Sequence, residues 1–140
     1  MIVHVLLALT AAAGVHAPDP ADNNKPPTPT KGEEQLAKLL EGRIAGEKIE
    51  CMPPARNLPS QTIPQTAIVF GRPSSSVIYV QRTRAPQMID RDSFLVSLSG
   101  QPNRFCRMDQ FNMVDRVLGL PIGAVVFDHF IPYTRAKGDD

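Results

Sequence analysis

Apolar and polar residues recur along this chain in two rhythms. From Glu33 to Ile44 the spacing is helical: Leu36, Leu39, Leu40 and Ile44 fall on one stripe, with Ala37 beside it. Thr30 and Glu33 stand at capping-box spacing. Glu33 and Glu34 suit the positive end of the helix dipole, and Arg43 suits the other end. Gly42 weakens the last turn, and Gly46 is the expected stop. The stripe is expected to pack on the chain's own sheet.

After Gly46 the rhythm becomes that of strands. Ile49–Met52 is a short one, broken by Pro53 and Pro54. Thr66–Phe70 (TAIVF) reads as a buried strand, because β-branched and aromatic residues dominate it. Val77–Arg82 (VIYVQR) is its hairpin partner across the Gly71–Ser76 turn. Ser93–Ser99 alternates as a half-buried strand, with Phe94, Val96 and Leu98 on the apolar side and Ser93, Ser97 and Ser99 on the other; Leu95 is the exception. Asp109–Leu118 carries both signals. Asp109, Gly119 and Pro121 stand as helix N-cap, C-cap and stop, whereas Phe111 and Met113 alternate with Gln110 and Asn112. The capping residues favour a helical turn. Ala124–Phe127 and Phe130–Tyr133 read as a last strand, interrupted at Asp128–His129. Together these segments predict an α+β domain over residues 32–136: one N-terminal helix packed on a small curved antiparallel sheet of four or five strands.

The ends of the chain follow different rules. Ile2–Val15 is an apolar run too short to span a bilayer comfortably, and it closes on Val15-His16-Ala17, a cleavage-site pattern. No Lys or Arg precedes it; only the free amine and His4 supply positive charge. Residues 1–17 are therefore expected to be a signal peptide, and the mature chain periplasmic or secreted, with no transmembrane span. Residues 18–31 hold five prolines and almost nothing apolar, so they are expected to be a disordered, polyproline-like linker. Residues 137–140 are a frayed tail. Export also decides the chemistry of the two cysteines. In an oxidising compartment Cys51 and Cys106 are most simply one disulfide. Closing so long a loop is worth about 4 kcal/mol in the chain-entropy model.

Composition narrows the function. The 140 residues fit one domain, and a net charge of +1 argues against a strongly basic nucleic-acid binder. Aromatic residues are 6% of the chain and tryptophan is absent, so the core is expected to rely on Val, Ile, Leu and Met. After cleavage at Ala17, His129 is the only histidine. There is no HExxH, no paired-cysteine spacing, no G-x-S-x-G elbow and no glycine-rich phosphate loop. No metal or cofactor is expected. A hydrolase would have to use His129, with Ser74, Ser75, Ser76 or Ser97 as nucleophile. Asp90 with Asp92, and Asp109 with Asp115, read as loop and cap residues rather than a glycosidase pair. One charge feature stands out: Cys51 to Ile89 contains no acid, yet it holds Arg56, Arg72, Arg82 and Arg84. Arg72, Arg82 and Arg84 are candidate contacts for an acidic envelope protein or an anionic surface. The plainer alternative is a solvated strand edge whose charges discourage edge pairing.

A set of short motifs runs through residues 42–135. Gly42, Arg43, Ala45 and Gly46 lead to Cys51; Cys106, Arg107 and Asp109 form a C-R-x-D segment; Phe130, Pro132, Tyr133 and Arg135 form F-x-P-Y-x-R. In these the chain resembles a group of small exported bacterial proteins of unknown function. The resemblance implies export and a compact disulfide-linked domain, and it supplies no activity. The expected function is a non-catalytic protein- or envelope-interaction module. A small periplasmic hydrolase using His129 and a purely structural envelope protein are the alternatives.

Overall fold

The computed structural model describes residues 27–54, 58–90, 92–98 and 104–137. The expected signal peptide, the linker as far as residue 26, Arg56, the turn at Gly100–Asn103 and the tail from Gly138 lie outside the described residues.

Helix α1 spans Lys31–Leu39. It begins where Thr30 caps it: the Thr30 hydroxyl accepts a hydrogen bond from the Glu33 N–H at 3.2 Å. It ends earlier than predicted. Gly42, not Gly46, takes the left-handed conformation (φ 70°) that turns the chain out of the helix. Arg43 and Ile44 therefore leave the helix and enter strand β1 (Arg43–Ala45). Seven more strands follow: β2 (Ser60–Ile63), β3 (Ala67–Phe70), β4 (Val77–Gln81), β5 (Ser93–Ser97), β6 (Gln110–Asp115), β7 (Pro121–Val126) and β8 (Phe130–Arg135).

The strands form two antiparallel sheets. The larger has the order β1-β8-β4-β3-β2, and the smaller β5-β6-β7. The expected α+β domain with a single sheet of four or five strands is thus corrected: over the described residues the protein is mostly β, with eight strands in two sheets and one short α-helix. Two physical reasons explain the error. Within the 109–118 segment, Gln110–Asp115 form β6 rather than a helical turn, because Phe111 and Met113 both point into the core between the sheets, with a strand paired on each side. The presumed last strand is really two strands, in different sheets, and Asp128–His129 is the crossing between them.

The core has two layers. One lies between the sheets and contains Met52, Ile68, Phe70, Ile89, Phe111, Met113, Val125, Phe127 and Phe130. The other lies between α1 and the outer face of the larger sheet, where Leu36 meets Ile63, Ala67, Val69, Ile78 and Val80. The core uses Val, Ile, Leu and Met as expected, but aromatic rings share it. Of the six phenylalanines, five (Phe70, Phe105, Phe111, Phe127 and Phe130) form one cluster with ring centroids 4.3–6.3 Å apart. A few aromatic rings bury more area than their number suggests.

Cys51 and Cys106 are joined, and they face each other as a bridge pair with Cα atoms 3.9 Å apart. The Met52 N–H donates to the Phe105 carbonyl at 2.9 Å beside them. The disulfide ties the connection after β1 to the connection before β6, and so links the two sheets. Gln81 makes a second link. Its buried amide donates to the Asp128 carbonyl at 2.7 Å and accepts from the Asp128 N–H at 3.0 Å. Among the described residues, no helix is long and apolar enough to cross a membrane.

Candidate functional site

The two sheets are closed at one corner and open at another. At the closed corner the chain runs on from β4, and the Arg84 N–H donates to the Val126 carbonyl of β7 at 3.1 Å. At the open corner two edge strands, β2 and β5, flank a cleft of about 290 Å³. Its floor is apolar: Leu58, Phe70, Leu95, Phe105 and Phe111. Its rim is polar: Ser60 and Thr62 from β2, Ser93 and Ser97 from β5, and Arg116 just past β6.

The cleft exists because of how β5 lies. The sequence pattern favours Phe94, Val96 and Leu98 as the apolar side of this strand. The structure reverses it: Phe94, Val96 and Leu98 are exposed, while Ser93 is buried and Leu95 packs on the aromatic cluster. A strand has a period of two, so a single choice of facing moves every side chain at once. Phe111 and Phe105 already occupy much of the space beneath β5. Small serines fit above them and leave the cleft open. The Ser93 hydroxyl is satisfied by donating to the Asp90 carbonyl at 2.8 Å.

Both rims also present backbone polar groups. Hydrogen bonds from the Leu98 N–H to the Gln110 carbonyl and from the Arg116 N–H to the Asp92 carbonyl fix which residues of β5 face β6. By antiparallel alternation, the N–H and C=O of Leu95 point away from β6. The bond from the Gly71 N–H to the Pro59 carbonyl does the same for β2, turning the backbone of Ser60 and Thr62 outward.

Arg116 is the charged group of the cleft lining. Its Nη2 donates to the Ser93 carbonyl at 3.3 Å, and its guanidinium lies 6.0 Å over the ring of Phe94. The turn beyond it is closed by hydrogen bonds. One Asp115 carboxylate oxygen accepts from the N–H groups of Val117 (2.8 Å) and Leu118 (2.6 Å), and Gly119 adopts φ 65°. Val117 is 87% exposed and Leu118 70%.

The arginines singled out from the sequence do not converge. Arg72 sits at the β3–β4 turn, whereas Arg82 and Arg84 lie beyond the other end of β4. Arg82 is engaged by the helix: its guanidinium makes a forked pair with Glu33 at 2.7 and 3.0 Å. This hydrogen bonding holds the Glu33 carboxyl below its ordinary range and raises the Arg82 guanidinium further. A second pair of arginines, expected only as a helix-end charge (Arg43) and as members of short motifs (Arg43 and Arg135), lies across β1 and β8. Arg43 and Arg135 face each other in register and both donate to the Pro73 carbonyl, at 2.8 and 2.7 Å. Burial, and then the neighbouring Arg135, lower the pKa of Arg43.

His129 lies at the crossing between the sheets and does not line the cleft. Its Nδ1 is 3.0 Å from Asp128, and its Nε2 is 3.9 Å from Glu50. Arg107 completes the group, 3.7 Å from Glu50 and 3.5 Å from Asp128. The Asp128 carboxyl is held low, chiefly by the hydrogen bond it accepts from the His129 N–H. Both ring nitrogens thus face carboxylates, the arrangement of a surface ion cluster rather than of a serine and its base. Among the described residues, no group of His, Cys, Asp and Glu is placed to hold a metal ion.

Comparison of the chain with protein-family models, with curated proteins and with solved structures found no match.

Proposed function

We propose that this is a non-catalytic binding module, and that the cleft between β2 and β5 is where it takes an apolar ligand. The single observation that carries the reading is the cleft itself: an apolar floor between two strand edges, beneath a polar rim. Concave sites with apolar walls and a few placed polar groups are the usual form of a ligand pocket. Among the described residues, the lining holds serines but neither histidine nor carboxylate, so no general base stands beside a nucleophile there. The setting fits export. The Met1–Ala17 pattern and the resemblance to small exported bacterial proteins both favour an oxidising compartment, with which the Cys51–Cys106 disulfide is compatible. This reading moves the contact surface from Arg72, Arg82 and Arg84 to the cleft, because Arg82 is already paired with the helix.

The test is titration of the mature protein with N-phenylnaphthylamine, a neutral apolar fluorophore. The wild type is expected to bind it. Ser60→Phe and Thr62→Phe, which fill the cleft, should each weaken binding about tenfold, roughly 1.4 kcal/mol. A Val117→Ser, Leu118→Ser variant, altered only at the exposed turn, should bind as the wild type does. Circular dichroism checks that each variant is folded. A wild type that fails to bind, or binding that survives both phenylalanine substitutions, sinks the reading.

A further inference from the structure

The charge arrangement around the cleft says more about what it takes. We infer that the ligand is a small amphipathic acid, an acyl chain or aryl ring seated in the cleft with its carboxylate on Arg116; the inference rests on the cleft being the binding site. Among the described residues, Arg72, Arg84 and Arg104 also form no ion pair, but they do not line the cleft; four others are occupied within the protein. Arg82 is paired with Glu33, Arg107 lies against Glu50 and Asp128, and Arg43 and Arg135 donate to carbonyls of the Pro73–Ser76 turn. Arg116 differs. Among the described residues it forms no ion pair, and its side-chain hydrogen bond goes to a single carbonyl, that of Ser93 at 3.3 Å. A guanidinium carries five N–H donors in a planar fork that matches a carboxylate, so most of this fork remains available.

Its position suits the task. The Arg116 N–H is anchored to the Asp92 carbonyl at 2.8 Å, and the guanidinium stands over Phe94 at the mouth of the cleft. A carboxylate there would be next to the apolar floor formed by Leu95, Phe70 and Phe111. Among the described residues, the lining includes no acidic side chain to oppose an anion. On the far rim, the hydroxyls of Ser60 and Thr62 line the opposite side of the same opening. The volume, about 290 Å³, lies near the lower limit for small-molecule pockets and suits one short apolar body. A phosphate or sulfate alone would leave the aromatic floor unused, and an uncharged hydrocarbon would leave the guanidinium unused.

The experiment is displacement of bound N-phenylnaphthylamine from the mature, oxidised protein by octanoate or by octanol, which share a chain length and differ in charge. Octanoate is expected to compete about tenfold better than octanol, as a charge-assisted hydrogen bond at a partly exposed site would give. In Arg116→Gln that preference, read as the ratio of the two competitors within the same variant, should shrink to less than about twofold; Arg82→Gln should keep it in full. Equal competition by the acid and the alcohol in the wild type overturns the inference, as does a preference that survives Arg116→Gln. An apolar peptide competing more strongly than octanoate would assign the cleft to strand addition along β2 and β5, and likewise overturns it. Failure of the fluorophore to bind at all is a different result, and it removes the cleft as the site.

Discussion

The Gln81 side chain is fully buried, and its amide reads the backbone of Asp128 from both sides. It thereby stands in for a strand partner at the point where the chain leaves one sheet for the other. Replacing it with Leu keeps the volume but strands a backbone donor and acceptor. Gln81→Leu should therefore cost about 1–3 kcal/mol, measured as a drop in the urea midpoint with an unchanged slope. The sequence offered little warning: Gln81 reads as the polar end of a strand. By contrast, the Glu33–Arg82 pair has ideal forked geometry but both partners are well exposed, so it positions the helix more than it stabilises the fold.

At the scale of elements, the helix is set by a close approach as much as by its stripe. A side chain at Gly32 would run into Thr66 and would lie 2.8 Å from the Pro64 carbonyl. Thr66 is buried and fixed by donating its hydroxyl to that same carbonyl at 3.0 Å. Gly32→Ala gains helix propensity yet should destabilise the protein by about 1–3 kcal/mol, because the helix must lift from its sheet. A thermal melt of the variant checks this, and an unchanged or raised midpoint would refute it. Strands β3 and β4 were legible because their β-branched runs are buried on both sides, against α1 and against the second sheet. Strand β5 was legible as a strand but not in its facing. Leu95, the one residue that broke its alternation, is the one packed on the core. Strands β1 and β2 carried no clear signal, since they are three and four residues long and largely exposed.

At the scale of the whole molecule, two unequal sheets are joined along an aromatic cluster and by one covalent link. The disulfide lies next to Phe105, which contacts Phe70 and Phe111 at 5.5 and 5.4 Å and forms part of the cleft floor. Stability and the site are therefore coupled. Reduction should lower the unfolding free energy by up to about 4 kcal/mol, a large share of the roughly 5–15 kcal/mol typical of a small domain. It should also weaken N-phenylnaphthylamine binding. Paired urea titrations and fluorescence titrations, with and without reductant, measure both effects. Loss of stability with unaltered binding would separate the disulfide from the cleft.

What the sequence determined by itself was local. The Thr30 cap, the Leu36, Leu39 and Leu40 part of the helix stripe, the central hairpin and the partnership of Cys51 with Cys106 follow from propensity, periodicity and the chemistry of two cysteines, all properties of near neighbours or of a two-member choice. Only the tertiary structure decided that there are two sheets, that β6 is a strand, which way β5 faces, and that its serines leave an opening guarded by Arg116. Those outcomes depend on which strands share a sheet and on how the aromatic rings divide the space between them. Such contacts join residues far apart in the chain, and alternation along one strand carries no record of what lies across from it.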